Sequence, residues 1–147
     1  VAAAKDPAEK RVILIVDDTP EIIAFVSELL HDQYRVRVAT NGKDALHIAF
    51  SADPPDLILL DIMMPGMDGY EVCRHLKSDS QASDIPVIFL TAKSETEDEE
   101  KGFEVGAVDY ITKPVSPPIL RARVRTHLRL KRVTDYLKGM LEDANLL

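Results

Sequence analysis

Val12-Ile13-Leu14-Ile15-Val16 runs directly into Asp17-Asp18. Five branched apolar residues without a polar interruption fit a strand covered on both faces, as in a parallel sheet packed between helices. The pattern recurs. Asp56-Leu57-Ile58-Leu59-Leu60 runs into Asp61, and Val108-Asp109-Tyr110-Ile111-Thr112 runs into Lys113-Pro114. The C-terminal ends of parallel strands gather on one edge of their sheet, so three carboxylates and one ammonium would meet there. Such a group makes a magnesium site beside a nucleophile that awaits a phosphoryl group.

Working outward, the chain alternates strand and helix. Strands are expected at 12–16, 34–39, 57–60, 87–91 and 108–111, with helices near 20–32, 43–52, 70–80 and 96–105. Thr19 can cap the first helix, with Pro20 at the first helical position, where a missing N–H costs nothing. The apolar stripe of that helix is Ile22, Ile23, Val26, Leu29 and Leu30. Asn41 and Asp68 can cap the second and third helices, and Ser94 with Glu97 forms a capping box for the fourth. Strands alternating with helices over short connections mean βαβ units, a parallel sheet and helices on both faces. A fifth helix begins after Pro117-Pro118 and can run almost to Leu147, far longer than a small sheet needs.

A chain of 147 residues with 46% hydrophobic content holds one globular domain with room for an appendage. The single cysteine, Cys73, cannot form an internal disulfide, and no segment approaches the length of a membrane span. No initiator Met opens the sequence, which suggests a processed or trimmed chain; a cytoplasmic protein is expected. The net charge of −7 is uneven. From Ile119 onward seven Lys or Arg face three Asp or Glu, whereas the remainder has eleven against twenty-two. An acidic body argues against general nucleic-acid binding.

Taken singly, each motif has a plain structural reading. Asp17-Asp18 could be two acids at a helix N-terminus, favoured by the helix dipole. Asp61, ending another strand at the same edge, changes that balance, because clustered carboxylates repel unless a cation or proton intervenes. In Asp61-Ile62-Met63-Met64-Pro65-Gly66-Met67-Asp68-Gly69, Pro65-Gly66 forces a turn after the strand and Gly69 gives backbone freedom where the next helix begins. An ordinary loop explains the turn but not the acid before it. Thr91 ends the fourth strand, and Ala92 leaves space over the site. An X-Pro bond adopts cis far more readily than others, and a cis Lys113–Pro114 bond would aim the ammonium back at the acids.

With these residues in their order, the chain closely resembles the receiver domain of bacterial two-component response regulators, over roughly residues 10–130. The resemblance implies a flavodoxin-like, doubly wound five-stranded parallel sheet of order 2-1-3-4-5; the order comes with the family and not from the residues. It implies that Asp61 is the phosphoacceptor, phosphorylated from a phosphohistidine of a sensor histidine kinase or phosphotransfer protein. Asp18, Asp61 and the Met63 backbone carbonyl would bind Mg2+, with Asp17 acting through water. Lys113 would pair with the phosphoryl group, Thr91 and Ala92 would border it, and Tyr110 matches the switch aromatic. Val115 departs from the Phe that many relatives carry after Lys-Pro. A switch is expected, not an enzyme with a substrate of its own.

The remaining candidates have plainer roles. His31, His47, His75 and His127 lack ligand spacing and are expected at surfaces or caps, and Cys73 as a small buried hydrophobe. Beyond residue 130, Leu130, Val133, Leu137, Met140, Ala144 and Leu147 alternate spacings of three and four, a coiled-coil seam of under three heptads. Leu120, Val124 and Leu128 precede it on another face and would pack on the body. Residues 131–147 resemble the linker helix leading to an output domain, so a homodimer through Leu130, Val133, Leu137 and Met140 is expected; the alternative is a longer amphipathic helix or a fraying end. Two other functions fit the residues less well. A haloacid-dehalogenase-like phosphatase needs an Asp-x-Asp nucleophile, and Thr19 breaks that pattern; a degenerate receiver serving only to dimerise fits poorly with a complete acidic site.

Overall fold

The computed structural model describes residues 9–92 and 96–145, with backbone alone at 96–99. Strand and helix alternate throughout: β1 (Val12–Val16), α1 (Pro20–Leu30), β2 (Arg35–Ala39), α2 (Gly42–Ala49), β3 (Leu57–Asp61), α3 (Gly69–Ser78), β4 (Val87–Thr91), α4 (Thr96–Glu104), β5 (Asp109–Thr112) and α5 (Pro117–Asn145). The sheet has the order β2-β1-β3-β4-β5. Every pairing is parallel. This is the flavodoxin-like arrangement. The chain winds outward in both directions from β1 and β3, and ligands bind outside the carboxyl ends at that switch point.

The uninterrupted apolar runs have their cause in the layering. Side chains alternate across a strand, so Leu14, Val16, Ile58, Leu60, Val87 and Phe89 enter one core with Ala45, Ala49, Val72, Cys73 and Leu76 of α2 and α3. Ile13, Ile15, Leu57, Leu59, Ile88 and Leu90 enter the other with Val26 and Leu30 of α1 and Leu120, Val124 and Leu128 of α5. Truncating any of the Leu or Ile residues among these to Ala would remove about 2–5 kcal/mol of stability. β2 is an edge strand and reads differently, with Arg35, Val36, Arg37 and Val38 all at least partly exposed. Asp56, although buried, has partners: its Oδ2 accepts the Val12 N–H at 2.7 Å, and Arg11 lies 3.3 Å from Oδ1. It thereby fastens the entries of β1 and β3.

Local signals mostly act as expected. The side chains of Asn41 and Asp68 accept N–H bonds from Asp44 and Glu71. Thr19 occupies the N-cap position but makes no side-chain cap bond. Its backbone N–H, a separate group, donates to Asp17 Oδ1 at 2.9 Å. The Ser94–Glu97 box lies outside the described residues. α1 stops at Leu30, where its apolar stripe ends and short of the expected bound at residue 32, and β5 begins one residue later than expected.

α5 is 29 residues long, about 43 Å at the usual rise. Leu120, Val124 and Leu128 are buried, whereas Leu130, Val133, Leu137 and Met140 are each more than half exposed. The apolar stripe does change face near Leu128. Lys138, on the extension, forms an ion pair with Asp84. Among the described residues, no helix is long and apolar enough to cross a membrane.

Candidate functional site

β1 and β3 lie side by side, so Asp17 and Asp18 emerge next to Asp61. Each of the three offers a carboxylate oxygen, and these oxygens lie within 4.8 Å of one another. Just past the end of β1, Asp17 is fully buried and Asp18 exposed. Asp61, which as a strand-end acid was expected to be open, is only 4% exposed. Lys113 covers it: Nζ lies 2.9 Å from Asp17 Oδ2 and 3.2 Å from Asp61 Oδ1. The Lys113–Pro114 peptide is cis.

Close backbone approach shapes the loop after Asp61. A Cβ on Gly69 would sit 2.4 Å from the Asp61 carbonyl oxygen and 2.8 Å from Ile62 Cα, so no larger residue fits. This, and not the backbone freedom expected of it, is why glycine stands there; the positive φ belongs to Gly66. Gly69 N–H donates to the Ile62 carbonyl at 2.8 Å, docking α3 against the end of β3. Met63 N–H donates to Asp61 Oδ1 at 3.3 Å, and the Met63 side chain stands at the mouth, 68% exposed. Thr91 ends β4 in a buried position, with Ala92 exposed beyond it.

The electrostatics are those of a site short of positive charge. Burial pushes the Asp61 carboxyl up to about 6, repulsion from Asp17 adds to this, and Lys113 and the Met63 N–H oppose it. Burial would lower the Lys113 ammonium, but the bond to Asp17 and the charges of Asp61 and Asp17 outweigh it, and its pKa is raised. The two directions are compatible because one ammonium serves two carboxylates and lies closer to Asp17. Asp61 is left under-compensated. A further cation would relieve it, and a donor set made only of carboxylate oxygens, one of them open to solvent, suits a small hard dication such as Mg2+.

Tyr110 stands on β5, half-buried, with its ring edge-on to Phe103 at 6.2 Å. Cys73 is buried, its thiol pushed up to about 11 by burial. His127 departs from its expected role. Its Nε2 lies 2.9 Å from Asp109 Oδ2, across two elements. Arg123 joins the same carboxylate at 2.8 Å. Sequence reasoning missed this cluster and Asp56; the available signal was an acid opening a strand whose following helix carries an Arg and a His one turn apart.

An all-parallel 2-1-3-4-5 sheet with three carboxylates and a lysine at its switch point defines a doubly wound α/β module with an acidic pocket. Over residues 13–125 the chain matches the response regulator receiver domain, and it belongs to that family. It is 56% identical, over 85% of its length, to a Vibrio cholerae protein named "Probable cyclic di-GMP phosphodiesterase". It is 45% identical, over 86% of its length, to response regulator PleD of Caulobacter vibrioides. The chain spans 28% of the length of each of these relatives. Among solved structures, chemotaxis protein CheY4 of Vibrio cholerae is 33% identical with a TM-score of 0.75, covering 80% of this chain and 98% of that one. The BeF3-activated DrrB receiver domain is 40% identical with a TM-score of 0.74, covering 82% and 99%. The phosphatase alternative falls with this membership.

Proposed function

We propose that the chain is a phosphorylation-dependent switch that accepts a phosphoryl group on Asp61 from a phosphohistidine of a sensor histidine kinase or phosphotransfer protein. The observation that carries this reading is the placement of Asp61, with Lys113 Nζ 3.2 Å from Oδ1 and the Asp17 and Asp18 oxygens within 4.8 Å. The ionised Asp61 oxygen attacks phosphorus while the phosphorus–nitrogen bond breaks, and the imidazole leaves with the electron pair. Positioning and charge carry most of the catalysis, because the transition state for phosphoryl transfer is loose. Lys113 exchanges its contact with Asp61 for a phosphoryl oxygen. Thr91 donates its hydroxyl to another, Ala92 keeps the approach open, and Tyr110 turns as Thr91 moves.

Asp18, Asp61 and the Met63 carbonyl would hold Mg2+, with Asp17 acting through water. Bound there, the ion would neutralise charge on the phosphoryl oxygens. Residues 10–130 form the receiver unit, and 131–147 form a linker helix that pairs with a second copy through Leu130, Val133, Leu137 and Met140. Their exposure as a stripe supports that pairing. Both curated relatives are longer than this chain, which supports an output domain beyond the linker as the element regulated. In this reading the chain acts in the cytoplasm and has no substrate beyond its own phosphoryl group.

The reading is tested with Mg2+ and beryllofluoride, a stable mimic of an aspartyl phosphate, followed by 19F NMR. One bound beryllofluoride per chain that requires both Mg2+ and Asp61 supports it. Equal binding by Asp61→Asn would remove Asp61 from the role.

A further inference from the structure

β5 is an edge strand that pairs only with β4 among the described residues. Unpaired polar groups along an edge need other partners. At Tyr110 those partners come from side chains. Its N–H donates to Asp109 Oδ1 at 2.9 Å, and its carbonyl accepts from Arg123 Nη1 at 2.6 Å. The same Nη1 donates to Asp109 Oδ1 at 2.8 Å, and His127 Nε2 lies 2.9 Å from Asp109 Oδ2. Arg123 and His127 are four residues apart on α5 and so share a helix face. The Arg123 guanidinium carbon also lies 5.7 Å from the Tyr110 ring centroid. Both oxygens of Asp109 are therefore tied to the long helix.

The other end of β5 is tied to the acidic pocket. Lys113 follows Thr112, the last residue of the strand, and its Nζ contacts Asp17 and Asp61. Its N–H donates to the Thr91 carbonyl at 2.7 Å. A four-residue strand is about 13 Å long and has little slack. Any displacement of Lys113 meets an element already fastened to α5.

We propose that Arg123 and His127 are positioning residues: by holding Asp109 and the Tyr110 carbonyl they lock β5 to α5, and so couple Lys113 in the acidic pocket to the exposed half of the helix. The inference rests on the reading of Asp61 as phosphoacceptor. When Lys113 changes partner, β5 shifts and α5 follows. A simple edge cap would act differently, stabilising β5 equally whether or not the pocket is loaded.

Two measurements on the full chain separate these roles. Beryllofluoride binding with Mg2+ is read by 19F NMR, and amide hydrogen exchange is read along 119–138. In wild type, loading should change exchange in that segment at least about 5-fold, and in Arg123→Gln by less than about 2-fold with binding retained, since couplings of this kind span about 5- to 150-fold. Asp109→Asn keeps an acceptor for the Tyr110 N–H but weakens the contacts to Arg123 and His127; it should give the same loss, and it serves if Arg123→Gln does not fold. A full α5 response in the folded variant overturns the inference and leaves the proposed function standing. So does a wild type that binds without any α5 response. Loss of binding in Arg123→Gln also overturns it, since Arg123 would then belong to the pocket itself. A wild type that binds nothing at Asp61 removes the proposed function and this inference with it.

Discussion

Replacing Asp61 by Asn should stabilise the metal-free protein increasingly above pH 3.8 and fully above about pH 6. The Asp61 carboxyl rises from 3.8 to about 6 on folding because burial and Asp17 both disfavour its charge. A carboxyl raised in the folded state favours folding while protonated, and that advantage is lost as pH rises through the folded value. Below pH 3.8 wild type and variant should therefore match. Between pH 3.8 and about 6 the wild type loses ground, and above that the difference is constant. At about 1.36 kcal/mol per tenfold change in acidity, the full effect is about 3 kcal/mol; solvent reaching the pocket mouth reduces it to roughly 1–2 kcal/mol. Asn keeps an oxygen to accept from Lys113 and Met63, so little is lost in exchange. Urea unfolding in chelator at pH 4 and pH 8, followed by circular dichroism, measures the difference. Equal stability at pH 8, or a variant less stable there, would refute the claim that Asp61 is held against its charge.

Asp18→Ala should abolish Mg2+ binding at millimolar concentration, because a magnesium site usually rests on one or two carboxylates; an unchanged titration would remove Asp18 from the ligand set. Met63 stands exposed at the pocket mouth and cannot orient an attacking water. Phosphorylated Met63→Asn should lose its phosphate faster than wild type, measured in parallel, and an unaltered rate would contradict this. Leu137→Glu places a charge in the exposed stripe, so sedimentation should shift a concentration-dependent dimer to monomer. Identical masses across a wide concentration range would leave the stripe as an unpaired amphipathic face.

The sheet was legible because three of its strands are covered on both faces. β1, β3 and β4 are buried at every residue, and an uninterrupted apolar run is the direct trace of that burial. The acids were legible because they follow such runs without a gap. Their different surroundings were not. Nothing in Asp17-Asp18 says that one is fully buried and its neighbour open; that depends on how the chain leaves the end of β1. That Lys113, 52 residues along the chain, would face the acids was legible from its place before Pro114; that Asp61 itself would be buried was not. Asp109, Arg123 and His127 are 14 and 18 residues apart and meet only when α5 packs back over β5. No local periodicity reports such a meeting. Thr19 stands at the N-cap position that the sequence marks, yet its side chain makes no cap bond, and its backbone N–H donates to Asp17.

The central claim is that Asp61 alone takes the phosphoryl group. Incubation with a small phosphodonor and Mg2+, reduction of the acyl phosphate with borohydride and peptide mass spectrometry would locate it directly. The account predicts homoserine at position 61, dependent on Mg2+ and absent from Asp61→Asn. Modification at Asp17 or Asp18, or an undiminished adduct in Asp61→Asn, would contradict it.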